Sequence, residues 1–151
     1  MESKKNITND IVTEYINQFY RPKTEEIAKL REESEAEHVP IILRETEQFL
    51  ATMLTIIKPK KILEIGCAVG YSSMFFAAQS DAEIVTVEKD PDVFETASRN
   101  ILRMGYQPRI TVLCGDGEEK IEELAAEGND GFDFVFIDAA KSHYKRFFNA
   151  A

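Results

Sequence analysis

From Lys61 onward the sequence alternates between two hydrophobic grammars at short, regular intervals, and few folds accept such a chain. KILEI at 61–65 is a short apolar run of strand length. A turn containing Gly66 and Gly70 follows, and then a helical stretch over about 71–78. EIVTV at 83–87 is a second strand. Asp90-Pro91 then starts a helix, with aspartate as the cap and proline at the first helical position, where no N–H is needed. Gly105 closes that helix. Residues 109–114 read as a third strand, 117–127 as a helix ended by Gly128, and FDFVFI at 132–137 as a fourth strand. A last helix starts near Lys141. Strand and helix in strict alternation predict an α/β fold: a doubly wound, Rossmann-like parallel sheet with helices on both faces.

The first 58 residues follow a different pattern and are expected to be helical, in one domain with the α/β core of 59–151. Ile11, Val12, Tyr15, Ile16 and Phe19 recur at helical spacing after Asn9 as cap, and Pro22 stops the run. A second helix follows Thr24, carries Ile27 and Leu30, and presents a solvated acidic face through Glu37. A third has Phe49, Leu50, Met53, Leu54 and Ile57 on one face and ends at Pro59. The helical segment offers a surface for a homodimer. The fourth strand reads as central, because it is apolar on nearly every residue, yet only one short helix follows it. We therefore expect the chain to be part of a longer one.

Charge narrows the partners. Residues 1–60 hold 9 basic and 11 acidic side chains, and residues 61–151 hold 9 and 16, so the net charge of −9 is concentrated in the α/β half. Such a surface has no general attraction for phosphate backbones. MESKKNITND has no apolar core of a signal peptide, and no apolar run approaches membrane-spanning length. Cys67 and Cys114 lack CxxC spacing and, with only His38 and His143, make no zinc pattern. A cytoplasmic protein with two reduced thiols and no membrane partner is the expectation.

In doubly wound sheets ligands bind outside the carboxyl ends of the strands. Here those ends read Glu64-Ile65-Gly66-Cys67-Ala68-Val69-Gly70, then Glu88, then Gly115-Asp116, then Asp138. A pyrophosphate-binding loop wants G-x-G-x-x-G, but its middle position is Ala68, and Glu64 would bring negative charge close to the phosphates. A dinucleotide-dependent oxidoreductase is therefore disfavoured. A phosphate-free, cationic cofactor suits the loop better, and S-adenosylmethionine carries a sulfonium and no phosphate. Glu88 is placed to accept hydrogen bonds from ribose hydroxyls and Asp116 to meet the adenine amino group. Ser72 or Ser73 is placed to hold the methionine carboxylate. Glu64, Gly66, Gly70 and Asp138 complete the expected cofactor contacts. Asp138 and Lys141 form a second constellation. A divalent cation on Asp138 would lower the pKa of an acceptor hydroxyl, and Lys141 would take its proton. Equally, Asp138 is a simple helix cap with a solvated lysine beyond it.

KILEIG-x-x-x-GYS, the acidic residue after EIVTV, GD, and FIDAAK-x-x-Y together resemble the caffeoyl-CoA and catechol O-methyltransferase family. The likeness runs over residues 38–148 and includes His38-Val39-Pro40-Ile41-Ile42 before the first strand. It implies S-adenosylmethionine on Gly66, Glu88 and Asp116, a magnesium-type ion on Asp138, and Lys141 as catalytic base. The helical N-terminal segment looks most like the bacterial tRNA 5-hydroxyuridine methyltransferases of that family. The implied acceptor is 5-hydroxyuridine in tRNA or a small catechol-like diol. Cys67 departs from the threonine many relatives carry. The family also completes its metal site with an Asp-Asn pair after a fifth strand, beyond this chain. A cation on Asp138 and water alone would be poorly held, so a non-catalytic cofactor-binding fragment is the alternative. His143 reads as a surface residue, Tyr144 as a pocket candidate, and Phe75-Phe76 and Phe147-Phe148 as packing pairs.

Overall fold

Four apolar runs of strand length, each followed by a helix, can bury both faces only by pairing in parallel. The computed structural model describes residues 10–129 and 131–151, with every side chain among them except that of Lys141. Its strands are β1 (Lys61–Ile65), β2 (Glu83–Glu88), β3 (Ile110–Cys114) and β4 (Phe134–Ile137), all parallel, in the order β3-β2-β1-β4. In register, Leu63 lies between Val85 of β2 and Val135 of β4. The core helices are α4 (Tyr71–Gln79), α5 (Pro91–Arg103), α6 (Gly117–Ala126) and α7 (Tyr144–Ala150), preceded by α1 (Asp10–Phe19), α2 (Glu25–Ala36) and α3 (Arg44–Ile57). Several of the expected start signals are seen. The Thr24 hydroxyl accepts from the Ile27 N–H, and Asp90 accepts from the N–H groups of Asp92 and Val93. Asn9, the expected cap of α1, lies outside the described residues.

Alternation along β1 divides the core. Ile62 joins Ile27, Leu30, Leu50, Leu54 and the α4 aromatics on one face; Leu63 and Ile65 join Val87, Ile121, Leu124 and Phe147 on the other. Phe76 has no exposed surface and meets the Phe136 ring edge-on at 5.3 Å, which ties α4 to β4. Burying such a ring stabilises by roughly 1.5–3 kcal/mol. Among the described residues β4 pairs only with β1, and Val135 is left 36% exposed on the outer edge.

The N-terminal helices correct the sequence reading in detail. The buried stripe of α3 is Glu47, Leu50 and Leu54, while Phe49 is 63% exposed and Ile57 40%. Phe49 and Ile57 lie off the stripe because positions 47, 50 and 54 share the helix face that meets α2 and α4. No residue of α1 is buried: Ile16 of its apolar stripe is half-buried, and Ile11, Val12, Tyr15 and Phe19 are exposed. The acidic run of α2 is more than solvated surface: Glu33 pairs with Arg103 at 2.7 Å, and Glu35 with Arg31 and Arg44 at 3.1 Å each. None of the described helices is long and apolar enough to cross a membrane.

Candidate functional site

The strand order reverses direction at β1: the chain moves outward through β2 and β3, then returns to the other side of β1 as β4. Loops leaving the carboxyl ends of β1 and β4 therefore diverge, and a crevice opens between them. A cleft of about 470 Å³ lies there, walled by Gly66, Ala68, Glu88, Lys89, Gly115, Asp116, Asp138, His143 and Phe147 among others. That is within the range of small-molecule sites, roughly 300–1,000 Å³. A smaller cavity of about 190 Å³ shares Gly66, Ala68 and Asp138 with it, and is lined further by Pro40, Ile41, Ile42, Cys67, Tyr71 and Ser72.

The loop between β1 and α4 is shaped by backbone constraints. Gly66 has φ +90° and crosses so close to β4 that a β-carbon would sit 2.5 Å from the Asp138 carbonyl oxygen. Ala68 is also left-handed, at φ 46°, an uncommon conformation for alanine. Its N–H donates to Glu88 Oε2 at 3.2 Å, and Glu88 Oε1 accepts from the Asp90 N–H at 3.1 Å. The carboxylate at the tip of β2 thus holds the glycine loop while it lines the cleft.

Of the expected cofactor residues, Gly66, Glu88, Asp116 and Asp138 meet on the wall of the larger cleft. Asp116 also caps α6 through the Glu118 N–H. Lys89 and Arg146 each lie 3.4 Å from its oxygens. Burial opposes ionisation of that carboxyl, but the N–H and the two cations hold it below its usual range. Ser72 lines the smaller cavity, whereas Ser73 is fully buried and donates to Glu64.

Two expected contacts lie off both of these walls. Gly70 lines neither cavity: its α-carbon faces α5, where a β-carbon would touch Ile101 at 3.4 Å, so its role is to let α4 pack and begin. Glu64 is on neither wall and has no exposed surface. It lies beneath the loop because even-numbered β1 residues point toward α4. Oε2 accepts from the Ser73 and Thr86 hydroxyls, while Oε1 is buried without a protein partner. Burial raises this carboxyl above its ordinary value of 4.5, against the hydroxyls of Ser72, Ser73 and Thr86, and the charge of Asp138 raises it further.

The remaining candidates separate in the same way. His143 lines the cleft instead of standing free, and Phe147 is buried against Gly117, where a β-carbon would meet its ring at 2.8 Å. Phe148 is 77% exposed, and Tyr144 is 39% exposed and absent from both cavities. Burial pushes the Cys67 thiol far up, so it is an inert wall. Lys141 opens a short 3-10 turn, Lys141–His143, beside the cleft, but its side chain lies outside those described. The sequence reading missed Lys89, signalled only by its place after Glu88. It also missed Glu47, an acid on an apolar helix stripe.

A hard divalent cation takes about six oxygens in near-octahedral geometry. Among the described residues no three His, Cys, Asp or Glu side chains come together, and Asp138 is a single exposed carboxylate. The described residues do not complete a magnesium site by themselves.

Comparison with known proteins agrees with this geometry. The model of the O-methyltransferase family matches residues 18–151. The chain belongs to that family. This O-methyltransferase family member is 32% identical over 106 residues to a catechol O-methyltransferase of Niastella koreensis, a match covering 69% of the chain and 48% of the relative. It is 32% identical over 101 residues to a caffeoyl-CoA O-methyltransferase of Stellaria longipes, covering 64% and 42%. The chain spans less than half the length of these relatives. A crystal structure of an O-methyltransferase from Bacillus cereus in complex with SAH superposes with a TM-score of 0.82 at 28% identity, covering 93% of this chain and 66% of that one.

Two outcomes follow from the loop. Gly66 and Gly105 both have positive φ, but only Gly66 faces backbone, and nothing lies within 4 Å of Gly105. In urea unfolding Gly105→Ala should cost about 1 kcal/mol and Gly66→Ala about 2 kcal/mol more. Equal losses would show that the close approach to Asp138 is not a constraint. Glu64 supplies the second. Its raised native pKa gives stability that is complete below 4.5 and is lost as pH rises through the native value. Glu64→Gln, which mimics the protonated form, should flatten the fall in unfolding free energy as pH rises above 4.5. Parallel profiles for variant and wild type would refute it.

Proposed function

We propose that this chain binds S-adenosylmethionine in the cleft at the end of β1 and serves a methyl transfer to an acceptor hydroxyl. The observation that carries the reading is the buried, unpartnered Glu64 Oε1 beneath a loop whose rim holds Gly66, Glu88, Asp116 and Asp138. An orphaned buried acceptor costs about 1–3 kcal/mol, and a cationic ligand donating to it recovers that cost. The methionine ammonium is such a donor. In this arrangement Glu88 accepts from the ribose hydroxyls, Asp116 faces the adenine, and Ser72 at the start of α4 donates to the carboxylate. Asp138, shared by both cavities, stands where nucleoside and amino-acid ends would join.

When bound, the cofactor supplies a methyl group on a positively charged sulfur. The protein's part is to aim an acceptor oxygen at it and remove the proton. We assign that proton to Lys141, which begins the turn after Asp138. The net charge of −9 favours a small catechol-like diol as acceptor over 5-hydroxyuridine in tRNA. A dinucleotide fits poorly, since the Ala68 N–H that would greet a phosphate already serves the Glu88 carboxylate.

Calorimetric titration with S-adenosylmethionine, with NAD as control, tests the assignment. The methyl donor should bind, NAD should not, and Glu88→Ala should weaken binding by about ten- to a hundredfold, as for a lost hydrogen bond to a charged group. NAD binding in place of the methyl donor would sink the reading. Methylation assays offering catechols against tRNA then distinguish the acceptors. The exposed stripe of Ile11, Tyr15 and Phe19 on α1, with Phe49 and Ile56 exposed on α3, is proposed as the contact of a homodimer. Light scattering should give twice the chain mass, and a monomer at all concentrations would exclude the contact.

A further inference from the structure

The N-terminal helices bury a charged group that the cofactor reading does not use. Arg31 of α2 is 4% exposed and Glu47 of α3 is 1% exposed. All three guanidinium nitrogens are engaged. Nε donates to the hydroxyls of Tyr71 at 3.0 Å and Tyr20 at 3.2 Å. Nη1 donates to Glu35 at 3.1 Å, and Nη2 to Glu47 at 2.6 Å and to the Ile42 carbonyl at 2.9 Å. The Tyr71 hydroxyl donates in turn to Glu47 Oε2 at 2.6 Å, and that of Tyr20 to Oε1 at 2.8 Å.

Stability is a weak reason for such a cluster, because apolar residues of similar volume often stabilise a core as well or better. Apolar side chains cannot, however, fix two chain segments to one point. Two of the residues held by Arg31 line the smaller cavity from different chain segments: Ile42 from the segment before α3, and Tyr71 from the first turn of α4, next to Ser72. A planar guanidinium holds both from fixed positions of its fork, whereas the three donors of an ammonium sit on one rotating nitrogen and set no such geometry. Arg31 itself lines neither cavity.

We propose that Arg31 is a positioning residue that clamps the Pro40–Ile42 segment to the start of α4 and so sets the shape of the cavity for the amino-acid end of the cofactor. The inference rests on the reading that the cofactor is S-adenosylmethionine. Glu47 orients the clamp, and Tyr71 transmits it to Ser72.

The test titrates the wild-type chain, Arg31→Lys and Tyr71→Phe with two probes. S-adenosylhomocysteine reaches both cavities; 5′-methylthioadenosine lacks the amino-acid tail and needs only the larger one. Both variants should lose about tenfold or more in affinity for S-adenosylhomocysteine, the scale of a small misplacement of binding groups. Methylthioadenosine affinity should stay within about twofold, as expected for a site not coupled to the change. Circular dichroism checks folding, and Tyr71→Phe, which removes one oxygen, carries the test should Arg31→Lys unfold. Equal weakening of both probes, or weakening of neither, overturns the clamp. A wild-type chain that binds neither probe overturns the cofactor reading, and this proposal with it.

Discussion

The structure depends on the reversal of strand order at β1. Because β2 and β3 lie on one side of β1 and β4 on the other, the loop after β1 cannot be covered by its neighbours and must form the floor of a crevice. The same reversal brings β4 against that loop. Only a residue without a β-carbon passes the Asp138 carbonyl, so Gly66 is where sheet geometry and cleft geometry become one requirement. The left-handed Ala68 and the Glu88 carboxylate that holds its N–H follow from it.

Two buried polar clusters flank the crevice and differ in kind. Glu64 sits below the loop with hydroxyl partners on one oxygen and none on the other, so it is incomplete without a further donor. Arg31 and Glu47 sit behind the α4 wall with each charged group engaged, so that cluster is complete. An incomplete cluster next to a cavity points toward a ligand; a complete one points toward rigidity. Their nearness to the two cavities explains why an otherwise apolar core retains them.

Much of the fold was legible in the residues. Strand runs, the Thr24 and Asp90 caps and the left-handed glycines at 105 and 128 are local signals, and local backbone energetics decide them. The strand-tip residues Gly66, Glu88, Asp116 and Asp138 were also readable, because parallel winding sends every strand's carboxyl end to the same edge. Side-chain direction was less accessible. Phe147 and Phe148 are chemically alike, yet one packs on Gly117 and the other faces water. On α3 the more hydrophobic Phe49 lost the buried face to Glu47, since Arg31 from another helix repays the burial of that carboxylate.

By itself the sequence determined a parallel, doubly wound sheet with its chemistry at the strand tips, because the periodicity of apolar residues and the conformations of glycine and proline are properties of short segments. Tertiary structure alone decided which tip residues face a cavity. It assigned Gly70 to helix packing and Gly66 to the cleft, and it chose Ser72 over Ser73 for the cavity wall. It also joined Arg31, Ile42, Glu47 and Tyr71 at one point. Those outcomes depend on contacts between residues far apart in the chain, which no local pattern encodes.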